Sequence, residues 1–320
     1  MSPHRSMQSL VQEYLDERRR LGFSLAISGT QLMAFARFVD HSGHRGPLNC
    51  RIILAWVQGQ IPLAEHITWA RRLEVVRPFA KYRSRFDPRT EVPDARLFGK
   101  GHRRLTPHIY TDQEIVDLLL AAREMTPQGT LRPATYEALF GLIAATGLRI
   151  SEALHLRCTD VDLVQGMLTI RQTKFSKSRL VPLHATAAKA LLKYTAFRRL
   201  CVPVSPEAFF FVSPSGSGLV NRTVHNAFER LRAELGWIAR GAHAAPRIHD
   251  LRHTFICRRV QQWHQQGATI DNAMVALSTY VGHAKVSDTY WYLTGVPELM
   301  AMAGRNFEQF ASKSKEGGRG

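Results

Sequence analysis

Near its C-terminal end the chain carries His249-Asp250-Leu251-Arg252-His253, then Gly282-His283, then Tyr292, nine residues past that histidine. His249 and Arg252 are three apart, so a helix puts them on one face. These residue types suit attack by a tyrosine hydroxyl on a phosphodiester. That chemistry needs a nucleophile, positive charge on the non-bridging oxygens and a proton for the leaving oxygen. Arginine meets two phosphate oxygens through its planar fork and stays charged, so it can supply the positive charge without a metal. The set is complete only if an arginine and a lysine from upstream converge on the same point. Converging carboxylates, which metal-dependent strand transfer would require, are not found. Tyr280, Tyr290 and Tyr292 lie close together in sequence, and on a helix the last two point about 200° apart, so only one of that pair faces a phosphate. The chain has fourteen histidines, and most, His253 and His264 included, read as ordinary packed or surface residues.

The charge balance points to a polyanionic partner, the alternative being a solvated basic surface. Its 320 residues include 43 Lys and Arg against 26 Asp and Glu, a net charge of +17. A surplus of that size points to nucleic acid. It is densest over 71–104, where Phe79, Tyr82 and Phe86 interleave with the basic residues and Trp69 stands just before them. The expected phosphate contacts are Arg71, Arg72, Arg77, Lys81, Arg83, Arg85, Arg103 and Arg104. No 18-residue apolar run and no apolar N-terminal stretch are present, which reads as neither membrane-spanning nor secreted. Cys50, Cys158, Cys201 and Cys257 are far apart, which fits reduced cytosolic thiols and no zinc site.

The elements that position these residues follow from apolar spacing and caps. Four short helices are predicted over about 7–21, 29–40, 49–59 and 64–86, the third capped by Asn49 and the fourth kinked at Pro78. Residues 1–87 therefore form a helical bundle. Residues 88–110, rich in Pro, Gly and basic residues, read as a basic linker. Thr111 with Glu114 forms a capping box that opens a second domain over 111–311. Helices are predicted at about 135–145, from 149, and at 185–200, 221–235, 249–264, 271–281, 286–293 and 298–311. Strands at 167–173 and 179–183 flank a turn at 174–178. Residues 312–320 read as a disordered tail.

Four boxes resemble a known family: Ala145-Thr146-Gly147-Leu148-Arg149-Ile150-Ser151-Glu152, Thr173-Lys174 through Arg179-Leu180-Val181-Pro182-Leu183, His249-Asp250-Leu251-Arg252-His253-Thr254, and Val281-Gly282-His283 with Tyr292. In this order and spacing they are similar to tyrosine recombinases, the family of phage integrases and Xer-type enzymes. The match covers about 110–300, and the N-terminal bundle resembles the family's core-binding domain more loosely. The fold implied is mainly α with a small β-sheet: an N-terminal helical core-binding (SAM-like) bundle and a C-terminal catalytic domain.

By that resemblance Arg149 and Arg252 clamp the scissile phosphate, and Lys174 protonates the leaving 5′-oxygen, with Lys177 as its competitor or as a DNA contact. His249 accepts the tyrosine proton or bonds the phosphate, His283 donates to a non-bridging oxygen, and Tyr292 is the nucleophile. Glu152 either orients Arg149 or is an ordinary ion pair three residues away. The reaction implied is metal-free and cofactor-free cleavage and rejoining of double-stranded DNA through a 3′-phosphotyrosyl link. The family works as a homo-oligomeric tetramer on DNA, alone or with partner recombinases, in the bacterial cytoplasm and nucleoid. A mobile element is the expected source. Helix 298–311 either docks on a neighbour or packs on its own domain. A type IB topoisomerase uses the same residue types, and an idle DNA-binding regulator of the same fold is the reading from a different class, although all six positions are filled.

Overall fold

The computed structural model describes residues 5–59, 66–102, 104–171, 178–203, 205–266, 270–295 and 299–300, with backbone alone at 270, 271, 294 and 295. The chain divides into two compact units, Met1–Arg104 and Leu105–Gly320. No described helix is long and apolar enough to cross a membrane.

The first unit holds α1 (Met7–Arg20), α2 (Ala26–His41), α3 (Cys50–Gln58) and α4 (His66–Arg83). Caps set their ends. Ser6 accepts from the Ser9 N–H at the start of α1, and Asn49 accepts from Ile52 N–H at the start of α3. The Asp40 carboxylate on α2 takes the N–H groups of Met7 and Gln8, donors that a helix start leaves unpaired. Val11, Phe35, Ile53, Val57, Val76 and Phe79 are fully buried at the centre. Edge-to-face contacts of Tyr14 with Phe79 (5.5 Å) and Phe35 with Trp56 (5.4 Å) join the helices. Helix α2 starts three residues earlier than predicted, because its first turn lies ahead of the apolar stripe that signals it.

The stretch read as a basic linker over 88–110 is not one connecting segment. Its part up to Arg104 belongs to the first unit and its part from Leu105 to the second. Val92 and Phe98 pack on the first core. Glu91 accepts from the N–H of Cys50, Arg77 donates to the Pro93 carbonyl and Arg71 to that of Gly101. Beyond the junction, Tyr110 is buried and its N–H donates to Thr254 Oγ1, while the Ala242 N–H donates to the Thr106 carbonyl. Proline and glycine stop helices here without stopping the chain from packing.

The second unit runs α5 (Asp112–Arg123), α6 (Leu131–Thr146), α7 (Ile150–His155), β1 (Val161–Asp162), β2 (Met167–Ile170), β3 (Arg179–Pro182), α8 (Ala185–Cys201), α9 (Asn221–Glu234), α10 (Ile248–Gln265), α11 (Ile270–Val281) and α12 (Ser287–Gly295). The capping box before α5 is formed: Glu114 N–H donates to Thr111 Oγ1, and Thr111 N–H donates to the Glu114 carboxylate. The sheet is antiparallel in the order β1-β2-β3, with Leu168 opposite Val181, both fully buried. The two predicted strands are shorter than expected, and β1 was not foreseen because two residues carry no alternation to read. Helix α6 is buried on several sides, with Leu139, Phe140 and Leu142 inaccessible, which is why its sequence is apolar all round rather than striped. Beyond Met300 the predicted C-terminal helix and the tail lie outside the described residues.

Candidate active site

Two helix ends build the site. Helix α6 closes on Gly147 in the left-handed conformation (φ 64°), whose N–H donates to the Ile143 carbonyl. A Cβ there would stand 2.6 Å from Phe255 Cδ1, so both backbone and packing ask for glycine. Two residues on, Arg149 is the N-cap of α7. Helix α11 closes on Gly282 (φ 70°). Its N–H donates to the Thr279 carbonyl and the His283 N–H to that of Ser278, the paired bonds of a Schellman cap, which place His283 just past the helix.

The α11 turn presents carbonyls that a helix end leaves without partners. Three arginines take them. Arg179 Nε on β3 donates to the Tyr280 carbonyl (2.8 Å), Arg252 Nη2 on α10 to that of Val281 (2.7 Å), and Arg149 Nη2 to that of Gly282 (2.8 Å). Arg252 Nη1 reaches back to the Gly147 carbonyl at 2.7 Å. Guanidiniums from α7, α10 and β3 thus meet where the α11 dipole is negative. Arg252 is 1% exposed. Burial, then the positive charge of Arg149, lowers its pKa to about 10, with Tyr292 and Glu152 acting the other way, and it stays protonated at neutral pH.

Glu152 is the anion among them. Its carboxylate accepts from Arg149 N–H (3.0 Å), Arg149 Nη1 (2.8 Å), Arg179 Nη1 (3.0 Å) and Arg179 Nη2 (2.9 Å). Burial alone would raise its pKa. The bonds and charge of Arg179, then the Arg149 N–H and charge, outweigh that and hold it at about 2. Glu152 therefore ties Arg149 to a strand as well as to its own helix, more than an exposed pair three residues apart would do.

The nucleophile candidate sits on α12. Tyr292 is 2% exposed, its ring parallel to that of His283 at 6.4 Å and edge-on to Trp291 at 5.3 Å. Its hydroxyl lies 2.6 Å from Nδ1 of His253. His249, one helical turn earlier on α10, sets its ring edge-to-face on His253 at 4.7 Å. His253 is thus no ordinary packed or surface histidine, as the sequence had suggested. His249 is exposed, although the protein around it takes water away from its ring. That desolvation, followed by the charges of Arg252 and Arg247, lowers its pKa to about 4. His283 Nδ1 is 2.7 Å from the hydroxyl of Thr289, a fully buried residue on α12.

Of the residues predicted from sequence, Arg149, Glu152, Arg252 and His283 are gathered at the α11 turn, with His249 and Tyr292 linked through His253. Lys174, Lys177 and Arg103 lie outside the described residues. The basic residues of the first unit divide. Arg71 and Arg77 each donate to a backbone carbonyl, and Arg72 donates to those of Trp56 and Val57 with its guanidinium 5.3 Å over the Trp56 ring. Arg83 is half-buried with its guanidinium over Phe86, whereas Lys81, Arg85 and Arg104 are exposed. Sequence reading missed Arg179, His253 and Thr289. The signal for His253 was present, four residues after His249 on one helix face. Among the described residues no group of three or more His, Cys, Asp or Glu could hold a metal ion.

A profile of the phage integrase family matches residues 109–296. The protein y4rB of Sinorhizobium fredii (strain NBRC 101917 / NGR234), named as an integrase/recombinase, is 39% identical over 308 residues, covering 95% of this chain and 98% of that one. Tyrosine recombinase XerC of Pelobacter propionicus is 29% identical over 294 residues, covering 91% of this chain and 85% of that one. The solved structure of the Tn1549 transposon integrase in complex with transposon right end DNA shares the fold, with a TM-score of 0.68 at 15% identity over 96% of this chain and 100% of that chain.

Proposed function

We propose, on the premise that this chain belongs to the phage integrase family of tyrosine recombinases, a division of labour among the residues at the α11 turn. The reaction is the cleavage and rejoining of DNA strands. Arg149 and Arg252 hold the scissile phosphate, their remaining N–H groups facing its non-bridging oxygens. The Tyr292 oxygen bonds to phosphorus and the bond to the 5′-oxygen breaks. The electron pair leaves with that oxygen, which takes a proton from Lys174. The tyrosine proton passes to His249, or to solvent water where that ring bonds the phosphate instead. His283, its Nδ1 engaged by Thr289, offers Nε2 to a non-bridging oxygen. A 5′-hydroxyl from a partner duplex then attacks the phosphotyrosyl phosphorus and releases Tyr292, so neither metal nor nucleotide is consumed.

The observation that carries this reading is the meeting of three guanidiniums on three consecutive carbonyls beside the buried Tyr292 hydroxyl. DNA is the partner. A tetramer on two duplexes, a mobile-element origin and a place in the bacterial cytoplasm and nucleoid belong to the same proposal. The transposon integrase in complex with transposon-end DNA supports the mobile-element origin. Relatives named integrase or recombinase favour this over a type IB topoisomerase. The test is covalent capture on a nicked suicide duplex carrying candidate ends of the element that encodes the chain. Wild type should form a protein–DNA adduct and Tyr292→Phe none. An adduct that persists in Tyr292→Phe overturns the assignment.

A further inference from the structure

One part-buried contact stands outside these roles: His253 Nδ1 against the Tyr292 hydroxyl at 2.6 Å. Its setting is constrained on every side. Helix α10 sends Arg252 to the Gly147 and Val281 carbonyls, and its next residue, His253, to α12. The His253 ring lies between the edge-on ring of His249 and the Tyr292 ring, 5.5 Å away and tilted by 49°. On the Tyr292 side, the parallel His283 ring is itself held through Thr289, three residues before Tyr292 on the same helix. Arg252 of the phosphate clamp and His253, which meets the nucleophile's hydroxyl, are therefore adjacent residues of one helix.

We infer that His253 is a positioning residue for the nucleophile: its ring nitrogen fixes where the Tyr292 oxygen stands relative to the phosphate held by Arg149 and Arg252. The inference rests on the recombinase reading above. Positioning suits this ring better than proton transfer. Burial, then His249, Arg247, Arg252 and His243, press its pKa down to about 2, so it is neutral and poorly matched to take a phenol proton. A neutral ring still fixes the hydroxyl, either by accepting its proton in a hydrogen bond or by donating Nδ1–H to its oxygen. The gain is geometric, because displacing a reacting atom by about 1 Å can cost roughly 100-fold in rate.

Two measurements test it. On the suicide duplex at saturating DNA, His253→Leu should slow adduct formation by roughly 10- to 100-fold while DNA affinity holds. His253→Asn, whose amide branches from Cγ as Nδ1 does, should recover most of the rate. A wild-type rate in the Leu variant overturns the inference. So do Leu and Asn variants that are equally slow, since the loss would then come from packing. The second measurement needs no activity. In a thermal-unfolding cycle with Tyr292→Phe, His253→Leu should shift the folded-to-unfolded ratio about fivefold less once the hydroxyl is gone. Additive effects overturn the contact itself. Absence of any wild-type adduct would sink the recombinase reading, and the cycle would still report on His253.

Discussion

Replacing Glu152 with Gln should destabilise the second unit by about 3 kcal/mol at neutral pH and slow strand cleavage. The magnitude follows from the buried carboxylate. Its pKa is held at about 2 where 4.5 is ordinary, and each pH unit is worth about 1.4 kcal/mol. Removing one partner of a buried ion pair costs about 3–5 kcal/mol, which agrees. Gln accepts through one oxygen only, and its amide N–H groups would face the donors of Arg149 or Arg179. The charge also goes from among Arg149, Arg179 and Arg252. Because the folded pKa is depressed, this stability is present in full above pH 4.5 and is lost as pH falls toward 2. The assay is thermal unfolding of wild type and Glu152→Gln across pH 7 to pH 2.5. The midpoint should drop by about 6–12 °C at pH 7 for a unit of this size, and the gap should narrow below pH 4.5. Midpoints within about 2 °C at pH 7, or a gap that stays constant into acid, would refute the reasoning.

Gly147→Ala should cost about 1–3 kcal/mol, from the left-handed backbone and the 2.6 Å approach to Phe255, and it should slow cleavage by moving the carbonyl that Arg252 holds; a midpoint and adduct rate equal to wild type would contradict this. In the first unit, Arg72→Met should lower stability by about 1–3 kcal/mol through two lost carbonyl bonds and the Trp56 contact, measured by denaturant unfolding. Lys81→Ala should leave stability unchanged and reduce the slope of log affinity against log salt by about 0.9, as for one phosphate contact.

Much of the scaffold was readable from local chemistry. Asn49, the Thr111–Glu114 pair and Gly147 each announce a helix end through a hydrogen bond or a backbone angle that only a few residues satisfy. Arg149, His249, Arg252, His283 and Tyr292 were picked out as a set by the resemblance of their boxes to tyrosine recombinases, since Arg149 by itself reads as an ordinary helix-start arginine. What stayed hidden depends on long-range contacts. Nothing in residues 88–104 announces that Arg71 and Arg77 will donate to their carbonyls, so charges counted as phosphate contacts turned out to have partners inside the protein. The meeting of His253 with Tyr292 needs α10 packed on α12, and that of Arg179 with Glu152 needs β3 beside α7. Neither leaves a periodic trace.

The α11 turn has a further consequence. It aligns Arg149, Arg179 and Arg252 through peptide carbonyls, which every residue type possesses. Substitutions along 272–279 that keep the helix packed can therefore drift without disturbing the clamp. A single-residue insertion or deletion there cannot, because it turns the helix end by about 100° and carries all three carbonyls away at once. For this stretch, evolution is free in spelling and strict in length.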